Sequence, residues 1–407
     1  MRKTNALWLI GGILLYASTL NSCSSDEEVN IGSEQPRITE AHFTDTIRYE
    51  KDKTTAYNFE YSSTDPYGEP ITLSATITIG DEIKTGSKAR GLMLYNHYTV
   101  CRADQCPSRG ELGVQKFITG SGLITISPDY YGFGITENRH QAYCISSVNA
   151  QASIDALMSA KKLLANKGYT WDDILFNTGY SQGAQTAIAV VRLVNQQYPD
   201  IHITYTFAGG GSYDIPETYR QFIISGETTM PSSVVSVLLA YNEYRKLGIP
   251  LSSLFKEPLL NHIDEWIYSK KYTSDQIDKK IGSKKLSDWC TAEVLDINSN
   301  LSKRFMEVLE QDNLCKGWSP RSDDHIILVH NKSDGAVPAA NTNNLSAFLM
   351  NNGVENLRVR VENFGSLPNT SAHETGAIIF AAETILKVCD VLKIKIWIDY
   401  TRFMELL

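Results

Sequence analysis

"FNTGYSQGAQTA", Phe176 to Ala187, sets a serine between two glycines in the spacing G-x-S-x-G. The reading of Ser181 decides the fold. If it is a nucleophile, its hydroxyl stands on a sharp turn between a strand and a helix. If it is not, the stretch is an ordinary glycine-rich turn whose serine caps a helix. The pattern alone is weak, since chance supplies it in roughly one of every seven or eight chains near this length. Its context has to decide. A strand must precede it, a helix must follow, and an acid and then a histidine must come later in the chain.

The immediate flanks have that form. Ile174, Leu175 and Phe176 read as a strand, and Ala184, Ala187, Ile188, Val191 and Val194 line one face of a helix. Gly179 and Gly183 fit a turn so sharp that a side chain on either would crowd the strand or the helix. Further out, "DTIRYE", "YNFEYSS" and "PITLSATITI" predict antiparallel strands between about Ile38 and Ile79. "RGLMLYNHY", "GLITISPDY", "DILFNTGY", "HITYTFAGGG", "HIILVHN" and "LRVRVEN" read as further strands. Helical stretches separate them at Ser147–Lys167, Gln182–Tyr198, Pro338–Asn351 and Glu374–Leu392. Buried strands alternating with helices predict an α/β fold, with a mainly parallel sheet covered on both faces. Residues 38–212 and 325–392 form this core. Between them, 213–324 lose the strand pattern and read as a helical insertion where a cap would sit.

An acid and a base follow in the required order. Asp334 comes just after the strand Ile326 to Val329, in "HIILVHNKSDGAVP". His373 lies in the loop after the last strand, in "NFGSLPNTSAHETGAIIF". Asp323 and Asp324 precede their strand and fall at its wrong end. His202, His262, His325 and His330 read as structural. An oxyanion needs two backbone N–H donors. Gln182, next to Ser181, is one. The loop "NHYTVCRADQC" offers the other at Tyr98, with His97 and Thr99 as further pocket candidates. Tyr180, Asp129 and Tyr130 are candidate pocket residues as well. In "PDYYGFG" the alternative is a tight turn organised by glycines. No cofactor is needed for this chemistry, and no CxxC or His-x-His spacing suggests a metal site.

The charge balance, 38 Lys+Arg against 46 Asp+Glu, and the lack of a basic run exclude nucleic acid as a partner. At the N-terminus, Arg2 and Lys3 precede the apolar stretch Leu7–Leu20, which is too short to span a bilayer and suits a signal sequence. "LNSC", Leu20 to Cys23, resembles the lipobox of bacterial lipoproteins. That resemblance implies a signal peptide over 1–22 and lipidation of Cys23. Residues 23–37 are polar and acidic and read as a tether. Ser24 and the Asp26-Glu27-Glu28 cluster resemble the outer-membrane class, and imply a protein anchored in the outer membrane of the cell envelope, a class that includes surface-exposed members. Six cysteines lie beyond the leader. In an exported protein, Cys101–Cys106 and Cys290–Cys315 are the favoured disulfide pairs. Residues 393–407 fit no element.

Ser181, Asp334, His373, "PDYYGFG" (Pro128 to Gly134) and the helical insertion together resemble the α/β-hydrolase superfamily, most closely its secreted lipase and esterase branch. The resemblance covers about Ile38 to Leu392. It implies a serine hydrolase that cleaves carboxylic esters of small-molecule, glycan or lipid type through an acyl-enzyme. Two alternatives stand beside it. One is a serine peptidase of the same fold, for which the chain lacks the length before Arg90 to build a propeller. The other is a non-catalytic envelope lipoprotein that binds a glycan or lipid.

Overall fold

A computed structural model describes residues 42–51, 54–110 and 118–394. The signal sequence, Cys23 and the tether lie outside the described residues, as do 395–407 of the tail.

Nine strands form one sheet in the order β1-β2-β3-β5-β4-β6-β7-β8-β9. Strands β1 (His42–Lys51), β2 (Thr54–Thr64) and β3 (Pro70–Gly80) make an antiparallel meander, and β3 pairs antiparallel with β5 (Ile124–Pro128). The β2–β3 turn is closed by Asp65, whose carboxylate accepts the N–H groups of Tyr67 and Glu69. From β5 onward every pairing is parallel, through β4 (Leu92–Asn96), β6 (Leu175–Tyr180), β7 (Tyr205–Gly209), β8 (His325–Asn331) and β9 (Asn356–Glu362). Strand order reverses at β4, which lies between β5 and β6. A crevice outside the carboxyl ends of the strands belongs at such a switch point.

The central strands are buried on both faces, whereas β9 at the edge is largely exposed, and the buried side chains sort by twos. Along β8, Ile326 and Leu328 join the larger apolar cluster while Ile327 and Val329 join the other. Met93 and Phe176 likewise face the second cluster, opposite Leu92, Leu94 and Leu175 in the first. Helices α1 (Ser146–Asn166) and α2 (Gln182–Gln197) fill the first face. The last helix of the core, which carries Phe380 and Val388, covers the second.

The segment between β7 and β8 is helical. It opens with α3 (Ile215–Ser225) and α4 (Pro231–Tyr244), and continues through α5 (Ser274–Ile281) and α6 (Asn300–Leu309) with shorter turns between. Asp214 caps α3 by accepting the Glu217 N–H, and Pro216 suits its first turn. Helices α7 (Ala340–Asn351) and α8 (Ala372–Val391) flank β9 in sequence. No helix among the described residues is long and apolar enough to cross a membrane.

The disulfide expectation is corrected. All six described cysteines are free thiols. Cys101 belongs to the large core, whereas Cys106 packs with Val100 and Phe133 in a separate small cluster. Cys290 is fully buried beside the Phe255 bridge, and Cys315 only edges the core.

Candidate active site

The carboxyl ends of β6 and β8 and the helix after β9 bring three polar side chains together. Ser181 follows β6 directly and occupies φ +57°, ψ −120°, a conformation a side chain seldom adopts. The turn is affordable only because the neighbouring glycines touch. A Cβ on Gly179 would strike the Gly183 carbonyl, and one on Gly183 would strike the Asn96 carbonyl. Beneath the turn, Asn96 donates to Asn177 Oδ1 at 2.8 Å and Ser153 donates to Asn96 Oδ1 at 2.9 Å. These fully buried polar groups bind β4, β6 and α1 into one unit.

Ser181 Oγ lies 3.0 Å from His373 Nε2. His373 Nδ1 lies 2.5 Å from Asp334 Oδ2. The other carboxylate oxygen, Oδ1, accepts the N–H groups of Ala336 at 2.8 Å and Val337 at 2.9 Å. Burial alone would raise the Asp334 pKa. The charge of His373 and hydrogen bonds from His330 and His373 outweigh it, and hold the carboxyl below the usual carboxylate range. Burial pulls the His373 pKa down, but the charge and hydrogen bond of Asp334 pull harder, and the net shift is upward. The carboxylate therefore stays ionised and makes the imidazole a better base. A hydroxyl, an imidazole and a carboxylate in this line can pass a proton from Oγ to Nε2 while Asp334 steadies the resulting charge.

A cleft of about 580 Å³, counted with its open mouth, adjoins Ser181 and Gln182. Its far walls are apolar and come from α3 (Ile215, Phe222) and α4 (Val234, Val237, Leu238). Tyr143 and Cys144 close the core side. The Gln182 side chain is 5% exposed in this wall, and its amide oxygen has no hydrogen-bond partner.

The other sequence candidates sit elsewhere. None of His97, Thr99, Asp129, Tyr130 or Tyr180 is in the described lining of that cleft. Asp129 is wholly buried and committed to the scaffold: Ser74 Oγ donates to it at 2.5 Å and the Ser108 N–H at 2.7 Å. His97 packs on the Tyr130 ring at 4.1 Å, with its nitrogens facing the carbonyls of Tyr98 and Asp129. Burial pushes the His97 imidazole pKa down. Thr99 stands one layer back, 2.7 Å from the Tyr143 hydroxyl. Tyr180 points away from the cleft and donates to the His373 carbonyl at 2.6 Å. Tyr98 is half-buried against the Val100, Cys106 and Phe133 cluster, in the loop that follows β4.

His330, read from the sequence as structural, lies directly behind Asp334. It is fully buried, with Nδ1 2.7 Å from Thr342 Oγ1 and Nε2 3.0 Å from the Val337 carbonyl. Its place in β8, four residues before Asp334, brings it there. Sequence reasoning missed the cleft walls, because insertion helices do not announce which face meets the sheet.

Comparison with known proteins agrees with this architecture. The secretory lipase family model matches residues 115–385. No curated protein matches the chain by sequence. Among solved structures, the rice cell wall degrading esterase LipA of Xanthomonas oryzae superposes with TM-score 0.70 at 21% identity, over 83% of this chain and 92% of that one. A hydrolase-type protein of Legionella pneumophila gives 0.71 at 19%, over 88% and 92%. Candida antarctica lipase A gives 0.56 at 13%, over 77% and 73%. These likenesses show the fold, an α/β-hydrolase sheet with helices on both faces. With the family match, they make this chain a member of the secretory lipase family and a carboxylic ester hydrolase.

Proposed function

We propose that the protein cleaves carboxylic esters through a Ser181–His373–Asp334 triad and an acyl-enzyme. Ser181 Oγ attacks the ester carbonyl as His373 Nε2 takes its proton. His373 then returns the proton to the leaving alkoxide. Water repeats the cycle on the acyl-serine. The observation that carries this reading is the 3.0 Å approach of His373 Nε2 to a serine on a strained turn. The N–H of Gln182 and that of Tyr98 are the proposed oxyanion donors. Support for them comes from the start of α2 and from the packing of Gly183 against the Asn96–His97 backbone.

Residues 213–324 act in this reading as a cap that shapes the substrate pocket. The apolar cleft suits an aliphatic or aryl acyl group, and a substrate O–H or N–H would satisfy the unpaired Gln182 oxygen. Export and lipid attachment at Cys23 complete the proposal. The intact mass of the protein extracted from envelopes tests it: a lipid-modified chain beginning at Cys23 is expected, and an unmodified N-terminus overturns the anchor.

One rate panel on soluble protein starting at Ser24 tests the activity. It sets p-nitrophenyl acetate, butyrate and octanoate beside a prolyl p-nitroanilide, with Ser181→Ala as control. Ester turnover lost in the alanine variant is the expected result. Cleavage of the anilide alone would replace the esterase reading with a peptidase one.

A further inference from the structure

We propose that Tyr180 and Asn331 are positioning residues that clamp the backbone of His373 from two sides. The inference rests on the triad reading above. Tyr180 is the last residue of β6 and the immediate neighbour of Ser181. Its hydroxyl donates to the His373 carbonyl at 2.6 Å, and its ring lies 5.0 Å from the His373 ring. Asn331 is the last residue of β8, three before Asp334, and is fully buried. Its amide donates to the Ala372 carbonyl at 2.8 Å and to the Gly365 carbonyl at 2.8 Å. Its oxygen accepts the N–H groups of Ser333 and Phe364, both at 3.2 Å.

Two consecutive carbonyls at the start of α8 are thus held by side chains from two different strands. One strand carries the nucleophile and the other carries the acid. The base sits on a separate segment, after a loop of nine residues from Asn363 to Ser371. His373 therefore takes its position from the first turn of α8, whose start the Ser371–Glu374 capping box fixes, and not directly from either strand. Displacement of about 1 Å at a reacting group is enough to cost on the order of a hundredfold in rate. The clamp ties His373 to the strand ends that it must serve.

The surroundings are built for this contact. A Cβ on Gly376 would come within 2.5 Å of the Tyr180 hydroxyl oxygen, and one on Gly210 within 2.7 Å. A Cβ on Gly209 would come within 2.8 Å of the Tyr180 ring. Three glycines from β7, its following turn and α8 therefore leave a slot that the tyrosine fills.

The test is Tyr180→Phe, which keeps the ring and removes the donor, alongside Asn331→Ala and the double variant. Steady-state kinetics on p-nitrophenyl butyrate are corrected for folded, titratable active sites. Thermal midpoints and the His373 imidazole titration, read by NMR in histidine-labelled protein, are measured in parallel. The expected result for Tyr180→Phe is a fall in kcat of about tenfold with KM within twofold, since a lost hydrogen bond is worth roughly that factor. Its His373 titration moves toward 6.5 as the imidazole slips from Asp334, and the double variant loses less than the product of the single losses. The proposal is overturned if Tyr180→Phe keeps kcat within twofold, or if its whole loss is lost active sites. If Asn331→Ala does not fold, the Tyr180→Phe result alone decides. If the wild-type protein cleaves neither ester nor anilide, the triad reading fails, and the His373 titration in Tyr180→Phe still decides whether the clamp holds.

Discussion

His330 Nε2 faces Asp334 Oδ2 at 3.4 Å, and both side chains are fully shielded from water. The same oxygen meets His373 Nδ1 on its other side at 2.5 Å. Both groups nearest His330 Nε2, the Val337 carbonyl and the carboxylate, are acceptors, so that nitrogen carries the proton. His330 thus holds the acid from behind. Replacement by alanine removes the donor and leaves the carboxylate less well held. At 3.4 Å this contact is longer than a hydrogen bond, and the Nε2 proton is shared with the nearer Val337 carbonyl, so the expected outcome for His330→Ala is a kcat loss of only about threefold to tenfold. KM should barely change. Stopped-flow or steady-state rates on folded variant check it.

The pH profile should carry the sign of the His373 shift. The base works only as neutral imidazole, so activity falls as pH drops through its pKa. That pKa is raised above the ordinary 6.5 by Asp334, despite the opposing effect of burial. The acid limb of kcat/KM should therefore lie above pH 6.5. In Asp334→Asn the limb should move down, and the rate should fall on the order of 10³–10⁴-fold. A pH–rate series on both proteins checks the two statements together.

Pocket depth should be readable in chain length. Each methylene moved from water into the apolar cleft contributes ~0.8 kcal/mol, so kcat/KM should rise about fourfold per added carbon until the cleft is full. Val237 lines the cleft from α4. Val237→Phe should shorten the preferred acyl chain while leaving p-nitrophenyl acetate nearly unaffected. A p-nitrophenyl ester series from acetate to decanoate measures the shift.

How far all this was legible follows from the range of each signal. Ser181 and Asp334 stood out because each sits just past a strand, and His373 because a histidine after the last strand completes the order that one topology demands, although it lies in the first turn of α8 and not in a loop. The apolar runs of β4 to β8 showed the parallel sheet, since a strand buried on both faces has no polar alternation to confuse it. The pocket was not legible. Asp129, Tyr130 and His97 looked like site residues by their nearness to strand ends, yet Ser74 and Ser108 hold Asp129 inside the scaffold. Tyr180 faces α8 because glycines 209, 210 and 376 open a slot there. Contacts of that kind join residues nearly 200 positions apart, and no local pattern encodes them.

The cysteines should behave as buried thiols. Burial pushes Cys101, Cys106, Cys144 and Cys290 up to about 12. A thiol so far from ionising reacts slowly. Dithiothreitol should change neither the thermal midpoint nor the rate. Titration of native protein with a thiol reagent should label few sites, and denaturation should release all six.

The central claim is that Ser181 is the nucleophile. The most direct measurement is intact-protein mass spectrometry after reaction with a p-nitrophenyl alkylphosphonate, followed by peptide mapping. The account predicts one phosphonyl group per chain, located on Ser181, with release of one equivalent of p-nitrophenol and no adduct in His373→Ala on the same timescale. A fully folded protein that takes up no phosphonate, or takes it up at another residue, would contradict it.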